Sequence, residues 1–170
     1  MVLSMKGLSK KEIEIVSSLE FDKKYFFLSE YIDKFSESRT QRYNIIKNLL
    51  KKGRIVKLNR EKYYLVPIKA KSGSWSEHQF IVADEIFNGA GYFIGGWSAA
   101  NYWRLTDQIP MQVDIYTTKR QGKTRILNKR FVFHRTTEKR IRSAVKRRIG
   151  SHDFIIQNRG ESKKWIRSRD

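Results

Sequence analysis

An α+β fold in two parts is what this sequence predicts: three helices and a hairpin, then a small α/β unit. Three observations carry it. Serines followed three residues later by Glu or Gln stand at Ser9, Ser38 and Ser76, each ahead of a run with helical apolar spacing. Short β-branched and aromatic runs bounded by turn residues follow residue 53. The charge is also split: residues 1–68 hold 15 Lys and Arg against 8 Asp and Glu, 69–118 hold 3 against 5, and 119–170 hold 18 against 4.

The first helix starts at Ser9-Lys10-Lys11-Glu12, a capping box in which the hydroxyl takes the amide three residues on and the carboxylate reaches back. Ile13, Val16 and Leu19 recur at helical spacing, with Ile15 beside them, and carry the helix to about Glu20. An apolar stretch, 25–28, leads to Ser29, placed to cap a shorter helix through Phe35 that buries Tyr31, Ile32 and Phe35. After the turn Ser36-Glu37, the box Ser38-Arg39-Thr40-Gln41 opens a third helix to Lys52, and Gly53 stands where a left-handed C-cap belongs. Two β-rich runs, 54–58 and 63–66, flank the polar turn Asn59-Arg60-Glu61-Lys62, and Pro67 closes the second. Helix, helix, turn, helix and two-stranded wing is the order of a winged helix-turn-helix, predicted over 1–68 and followed by a small α/β domain.

Lys69-Ala70-Lys71-Ser72-Gly73-Ser74 is small and polar and reads as a linker. A third box, Ser76-Glu77-His78-Gln79, opens a helix with apolar Phe80, Ile81, Ala83, Ile86 and Phe87, ended by Asn88-Gly89. Tyr92-Phe93-Ile94 is a short strand stopped by Gly95-Gly96, and 97–105 is a helix with Ala99, Ala100, Tyr102 and Trp103 inside. Past Pro110, Met111, Val113 and Ile115 alternate with Gln112, Asp114 and Tyr116 along a strand. A basic loop is expected over 119–125, then a strand over 130–135 with Phe131 and Phe133 on one face. The basic run 139–148, with Ile141, Val145 and Ile149 at helical spacing, reads as an amphipathic helix, and Phe154-Ile155-Ile156 as a strand. The α/β domain is thus bounded at 75–156, and 157–170 reads as a loose basic tail.

On the third helix, residues advance about 100° each. Ile45, Ile46, Leu49 and Leu50 share one arc; Thr40, Asn44, Lys47 and Lys51 share the opposite one, flanked by Gln41 and Asn48. Amides and hydroxyls among lysines suit a major groove, because Asn or Gln bonds an adenine edge bidentately while Lys neutralises phosphate or meets guanine. With Arg39 at the helix start, these residues form the candidate DNA-binding set; an ordinary solvated helix face has a similar composition. Arg42 falls on the apolar side near the start, an edge position suited at best to a phosphate. Lys57, Arg60 and Lys62 cluster at the hairpin tip, where they fit a minor groove or its backbone, or equally protect an edge strand from pairing. A secondary basic surface is expected from Lys119, Arg120, Lys123, Arg125, Arg140, Arg142, Lys146, Arg147 and Arg148.

The net charge of +19 is an electrostatic footprint for a polyanion, since cations that neutralise phosphates release condensed counterions; a generally basic proteome is the bland alternative. With 39% hydrophobic and 13% aromatic residues the chain can bury real cores and is not a disordered polycation. No run of about 18 apolar residues occurs, the N-terminus lacks a secretory leader pattern, and there is no cysteine for a disulfide framework or thiolate metal site. A cytoplasmic protein without membrane contact is expected. His78, His134 and His152 stand far apart without metal-ligand spacing and are expected at the surface or core edge. Gly89-Ala90-Gly91 and Gly95-Gly96 miss the dinucleotide glycine spacing and read as turns around a short strand. Asp84 and Glu85 are adjacent on a helix and point about 100° apart, and nothing sets Asp114 beside them. No catalytic residue, metal or cofactor is expected.

Gly95-Gly96-Trp97-Ser98-Ala99-Ala100-Asn101-Tyr102-Trp103-Arg104-Leu105-Thr106-Asp107-Gln108-Ile109-Pro110, followed by Tyr116-Thr117-Thr118-Lys119-Arg120 and Phe131-Val132-Phe133-His134-Arg135, resembles the AbiEi-like antitoxin family, predicted transcriptional regulators of viral-defence loci. The resemblance covers about residues 8–156. It implies an N-terminal DNA-binding domain that represses its own operon at repeated operator elements, which allows a dimer on DNA. It also implies a C-terminal domain opposing a nucleotidyltransferase toxin in a type IV toxin–antitoxin pair, without required contact between the two. Thr40, Asn44, Lys47 and Lys51 would then face DNA, and the basic surface within 119–148 would serve the antitoxin part or extra DNA contacts. Family members usually continue past the point matching Ile156, so the resemblance implies a shortened second domain. From the residues alone, an RNA- or protein-binding antitoxin module that uses the winged helix as a scaffold stays open.

Overall fold

The computed structural model describes residues 7–67 and 77–169, in two compact units, 1–76 and 77–170. The linker expected at 69–74 and the capping serine Ser76 lie outside the described residues. The chain is mixed α+β, with helices and two sheets.

In the first unit, Ser9 Oγ accepts the Glu12 N–H at 3.2 Å and Glu12 Oε2 accepts the Ser9 N–H at 2.8 Å, which starts α1 (Lys10–Phe21). The inward stripe is Glu12, Ile15, Val16 and Leu19, an i, i+3, i+4, i+7 row, and it leaves Ile13 at 37% exposure, outside the core expected for it. Buried Glu12 is compensated by Lys52, whose Nζ donates to Oε2 at 2.6 Å. The stretch expected only as apolar contains a strand, β1 (Phe26–Leu28), and the following helix is a 3₁₀ helix (Ser29–Phe35). Ser29 does not cap it. Its N–H donates to Glu61 O at 2.8 Å, because β1 is hydrogen-bonded to the hairpin at that point.

Ser38 Oγ accepts the Gln41 N–H at 3.1 Å and opens α2 (Arg39–Lys51). The reciprocal arm of the expected box is diverted: Gln41 Oε1 accepts the Glu37 N–H at 2.6 Å. After the C-cap Lys52, Gly53 takes the left-handed conformation at φ 68°. β2 (Ile55–Lys57) and β3 (Lys62–Leu65) then form the hairpin, and β1 joins them in an antiparallel sheet of order β1-β3-β2. Asn59 Oδ1 accepts both the Glu61 and Lys62 N–H groups, an Asx turn that holds the tip. Ile45, Ile46 and Leu49 of α2 close the core with Ile15, Val16, Leu19, Phe27, Ile32, Ile55 and Leu65. Each such side chain is worth about 1.5–3 kcal/mol when fully buried. Arg54 is also buried, and its guanidinium has no hydrogen-bond partner among the described residues. Burial lowers its pKa, and the Glu20 carboxylate opposes that shift.

The second unit begins with α3 (Gln79–Ile86), with His78 at its N-cap, where Nδ1 accepts the Phe80 N–H at 3.1 Å. Then come β4 (Tyr92–Gly95), α4 (Gly96–Tyr102), β5 (Val113–Thr117), β6 (Gly122–Ile126), β7 (Lys129–Arg135), α5 (Glu138–Arg142), β8 (Val145–Ile149), β9 (His152–Ile156) and α6 (Arg159–Arg167). The six strands form one mixed sheet, β6-β7-β5-β4-β9-β8, with β5 parallel to β7 and β4 parallel to β9. On one face Tyr92, Ile94, Val113, Ile115, Phe131, Phe133, Phe154 and Ile156 are buried; α3 packs there, with Phe80 against Phe154 (5.3 Å) and Phe87 against Tyr92 (5.2 Å). Gly95 is required at the strand-to-helix turn, since a Cβ there would lie 2.6 Å from the Tyr116 ring.

Four expectations for this unit need correction. Met111 is 92% exposed and the strand starts at Val113, because β4 ends at Gly95, opposite Asp114, and offers 111 no partner. The basic loop 119–125 contains the edge strand β6, whose alternation of Lys123 and Arg125 outward with Ile126 inward is hidden by its charge. The basic helix 139–148 divides into α5 and strand β8: a four-residue apolar interval fits a strand face as well as a helix, and β9 supplies the hydrogen-bonding edge. The tail 157–170 contains α6, started by Asn158 Oδ1 accepting the Glu161 N–H at 2.8 Å and docked on α4 through Trp165 against Trp97 at 5.1 Å.

Candidate nucleic-acid interface

The α2 arc is set by the core beneath it. With Ile45, Ile46 and Leu49 buried, the residues half a turn away must face solvent, and Arg39, Thr40, Asn44, Lys47, Asn48 and Lys51 are all exposed. Gln41 is half-buried, its carboxamide oxygen engaged by Glu37. Arg42, expected at an edge, donates from Nη1 to both carboxylate oxygens of Asp33 of the 3₁₀ helix at 2.9 and 3.0 Å and so ties the two helical segments together. Lys57 and Arg60 project from the hairpin, while Lys62 is half-buried, with its backbone opposite Leu28 of β1.

Between α2 and the hairpin runs a groove of about 690 Å³, lined by Arg39, Thr40, Arg42 and Lys47 from the helix, Lys57 from β2, and an apolar floor of Tyr43, Ile46, Leu50 and Tyr63. Arg39, Lys47 and Lys57 are exposed, so an anion approaching the groove meets positive potential. Tyr43 and Tyr63 were not among the candidate residues. The signal for Tyr43 was available: it lies three residues after Thr40 and four before Lys47, and it is 65% exposed despite its size. Tyr63 could not have been found without the tertiary pairing of hairpin and helix.

The secondary basic residues are not brought onto one surface. Arg120 lies over the Phe133 ring at 3.9 Å, on the α3 side of the sheet. Lys123 and Arg125 share the opposite face of β6, as their register opposite Val132 and Arg130 requires. Arg140 of α5 lies over Phe93 and Tyr116 at 5.8 and 5.6 Å, and Arg142 is exposed. On β8, Arg147 reaches the Trp103 ring at 5.2 Å, while Lys146 and Arg148 face the other way and Arg148 pairs with Asp153 at 2.8 Å. Lys119 is exposed beyond the end of β5.

The carboxylates of Asp84 and Asp114 have structural partners. Asp84 Oδ1 accepts the Tyr92 hydroxyl at 2.7 Å, and its Oδ2 lies 3.1 Å from His152 Nε2. Asp114 Oδ1 lies 2.9 Å from His134 Nε2 and accepts the Gln112 amide at 3.0 Å. Tyr92 and Asp114 occupy opposite faces of the sheet, so the two carboxylate clusters do not converge. Burial raises the Tyr92 pKa, with its hydrogen bond to Asp84 adding to the shift. Burial likewise pushes the Tyr116 phenol up, helped by Asp114 and opposed by Arg140, Arg169 and the Trp165 indole. Among the described residues, no three His, Asp or Glu side chains are grouped to hold a metal ion, and no helix is long and apolar enough to cross a membrane. No protein-family model matches this chain, and no curated protein matches it significantly.

Proposed function

We propose that the chain is a sequence-specific regulator of transcription that binds double-stranded DNA. Its first unit then acts as a winged helix-turn-helix, with α2 as the recognition helix and the β2–β3 hairpin as the wing. One observation carries this reading: Thr40, Asn44, Lys47 and Lys51 form a solvent-exposed arc, polar and cationic, on a helix whose other side is anchored to α1 and the 3₁₀ helix. An α-helix so held fits a major groove, where Asn44 reaches a base edge and the lysines meet phosphates or guanine. Lys57 and Arg60 on the wing add backbone contacts. The AbiEi-like resemblance extends the proposal to an autorepressing cytoplasmic antitoxin whose functional counterpart is a nucleotidyltransferase toxin, with paired operator elements taking two copies. The reading assigns the chain no catalytic step and no cofactor.

Gel-shift titration against the DNA upstream of its own gene tests it. Specific binding is expected, and the double variant Asn44→Ala with Lys47→Ala weakens it by about 1–3 kcal/mol and flattens its salt dependence. Equal affinity for a scrambled duplex would reduce the claim to unspecific polyanion binding. The apolar floor of the groove favours one rival, an antitoxin module that uses this unit to hold a protein or RNA. That rival predicts that Tyr43→Ala abolishes partner capture while duplex affinity is unchanged.

A further inference from the structure

The sheet of the second unit has a face that the DNA-binding reading leaves unused. Along β7, Phe131 and Phe133 are buried on the α3 side, so Arg130, Val132 and His134 point to the other. Beside them β6 sets Lys123 opposite Val132 and Arg125 opposite Arg130. Lys123, Arg125 and Arg130 are exposed and have no ion-pair partner among the described residues. Like charges directly opposite across an antiparallel pair repel, and residues 119–137 contain seven Lys and Arg and no Asp or Glu to relieve them. Such a surface calls for an external anion.

Next to these cations stands a ladder of rings on three adjacent strands. Phe93 stacks on Tyr116 at 5.1 Å with 2° between planes, and Tyr116 stacks on His134 at 4.7 Å and 25°. The inner rings are covered, but the His134 side chain is 37% open to solvent and is oriented by buried Asp114. An aromatic ring held at the end of a stack, with Lys123 two positions along the sheet from it and Arg125 and Arg130 about 7 Å farther, can take an unpaired base on its face and phosphates alongside.

We infer that this face, centred on His134, Arg125 and Arg130, binds single-stranded RNA. A duplex is a poor fit, because paired bases keep their faces stacked on one another and cannot lie on the His134 ring. RNA is the abundant unpaired nucleic acid of a cell, and unstacked bases on aromatic or imidazole rings are its usual mode of recognition. The site is independent of α2 and does not rest on the DNA-binding reading.

Fluorescence anisotropy of a labelled oligouridine of about twelve nucleotides with the full chain tests the inference. Saturable binding is expected. Arg125→Glu with Arg130→Glu weakens it about tenfold or more and leaves duplex binding within about threefold, whereas the Asn44 and Lys47 alanine variant does the reverse. Both glutamate substitutions are at exposed positions, and circular dichroism verifies that the variant is folded. An abasic oligoribonucleotide of equal length binds about tenfold more weakly, since it cannot stack. No saturable binding, no effect of the double glutamate variant, or equal binding of the abasic strand or polyglutamate would overturn the proposal. Tighter binding of oligothymidine would also overturn it, assigning the face to unpaired DNA.

Discussion

The cations of the two units are organised by different periods, and that difference decides what each unit can present. On α2, Lys47 and Lys51 follow Thr40 and Asn44 at intervals of four, three and four, and both cations end on one exposed arc. On β8, Lys146 and Arg148 face one side of the sheet and Arg147, between them, faces the other. Residues 119–170 carry the larger surplus of Lys and Arg, yet their strands disperse it over two faces, while fewer cations on a helix converge. Charge density along a chain therefore does not measure an interface; the period of the secondary structure does.

The units also differ in what their cores tolerate, and substitutions can sharpen that contrast. The largest effect is expected at the ring ladder. Gly95→Ala would put a Cβ 2.6 Å from the Tyr116 ring and 3.2 Å from Phe93, and Tyr116 has no room to slide between Phe93 and His134. A loss of about 2–3 kcal/mol in the second unit is expected. Urea titration followed by the fluorescence of Trp97, Trp103 and Trp165 measures it. The proposed duplex binding through α2 should be unchanged below the transition, and a parallel loss there would break the comparison.

In the first unit the sensitive point is electrostatic. Lys52→Met strands buried Glu12 and should cost about 1–2 kcal/mol at neutral pH, discounted because Lys52 is partly solvated. The Glu12 pKa is lowered: burial alone would raise it, but the Lys52 ammonium and the Ser9 bonds outweigh that. A depressed carboxylate stabilises the fold above its ordinary value of 4.5, and the contribution is lost as pH falls through the lowered native value. Melting curves should accordingly show the Lys52→Met deficit shrinking below about pH 4.5. A deficit that persists in acid would assign it to lost packing instead. The smallest effect is expected at Arg54, a buried guanidinium without hydrogen bonds among the described residues. Arg54→Met should leave stability within about 1 kcal/mol or raise it, read from the same melts; a larger loss would mean that its charge is matched.

Much of the first unit was legible locally. The Ser9 box, the Ser38 hydroxyl cap, Gly53 and the Asn59 turn are chemistry between residues a few positions apart, and each formed where the pattern stood. Misread elements share a cause. β6 has little but Ile126 to mark it as a strand, β8 has charges at its three central positions, and α6 exposes most of its length. They exist because a neighbour completes them: β7 and β9 supply hydrogen-bonding edges, and Trp97 supplies the surface on which Trp165 docks. For the candidate interface, the α2 arc followed from helical period, whereas Tyr63 in the groove needed the hairpin to fold back beside the helix.

By itself the sequence determined where α1 and α2 start and stop, which side of α2 is apolar, and the surplus of positive charge, because caps, period and composition act over one or two turns of chain. Only the tertiary structure decided that the basic stretches of the second unit become edge strands and that their cations divide between two faces. It also decided that His134 ends a stack of rings held by Asp114. Strand pairing joins residues distant along the chain, and a strand's partner, unlike a helix's, is not contained in its own sequence.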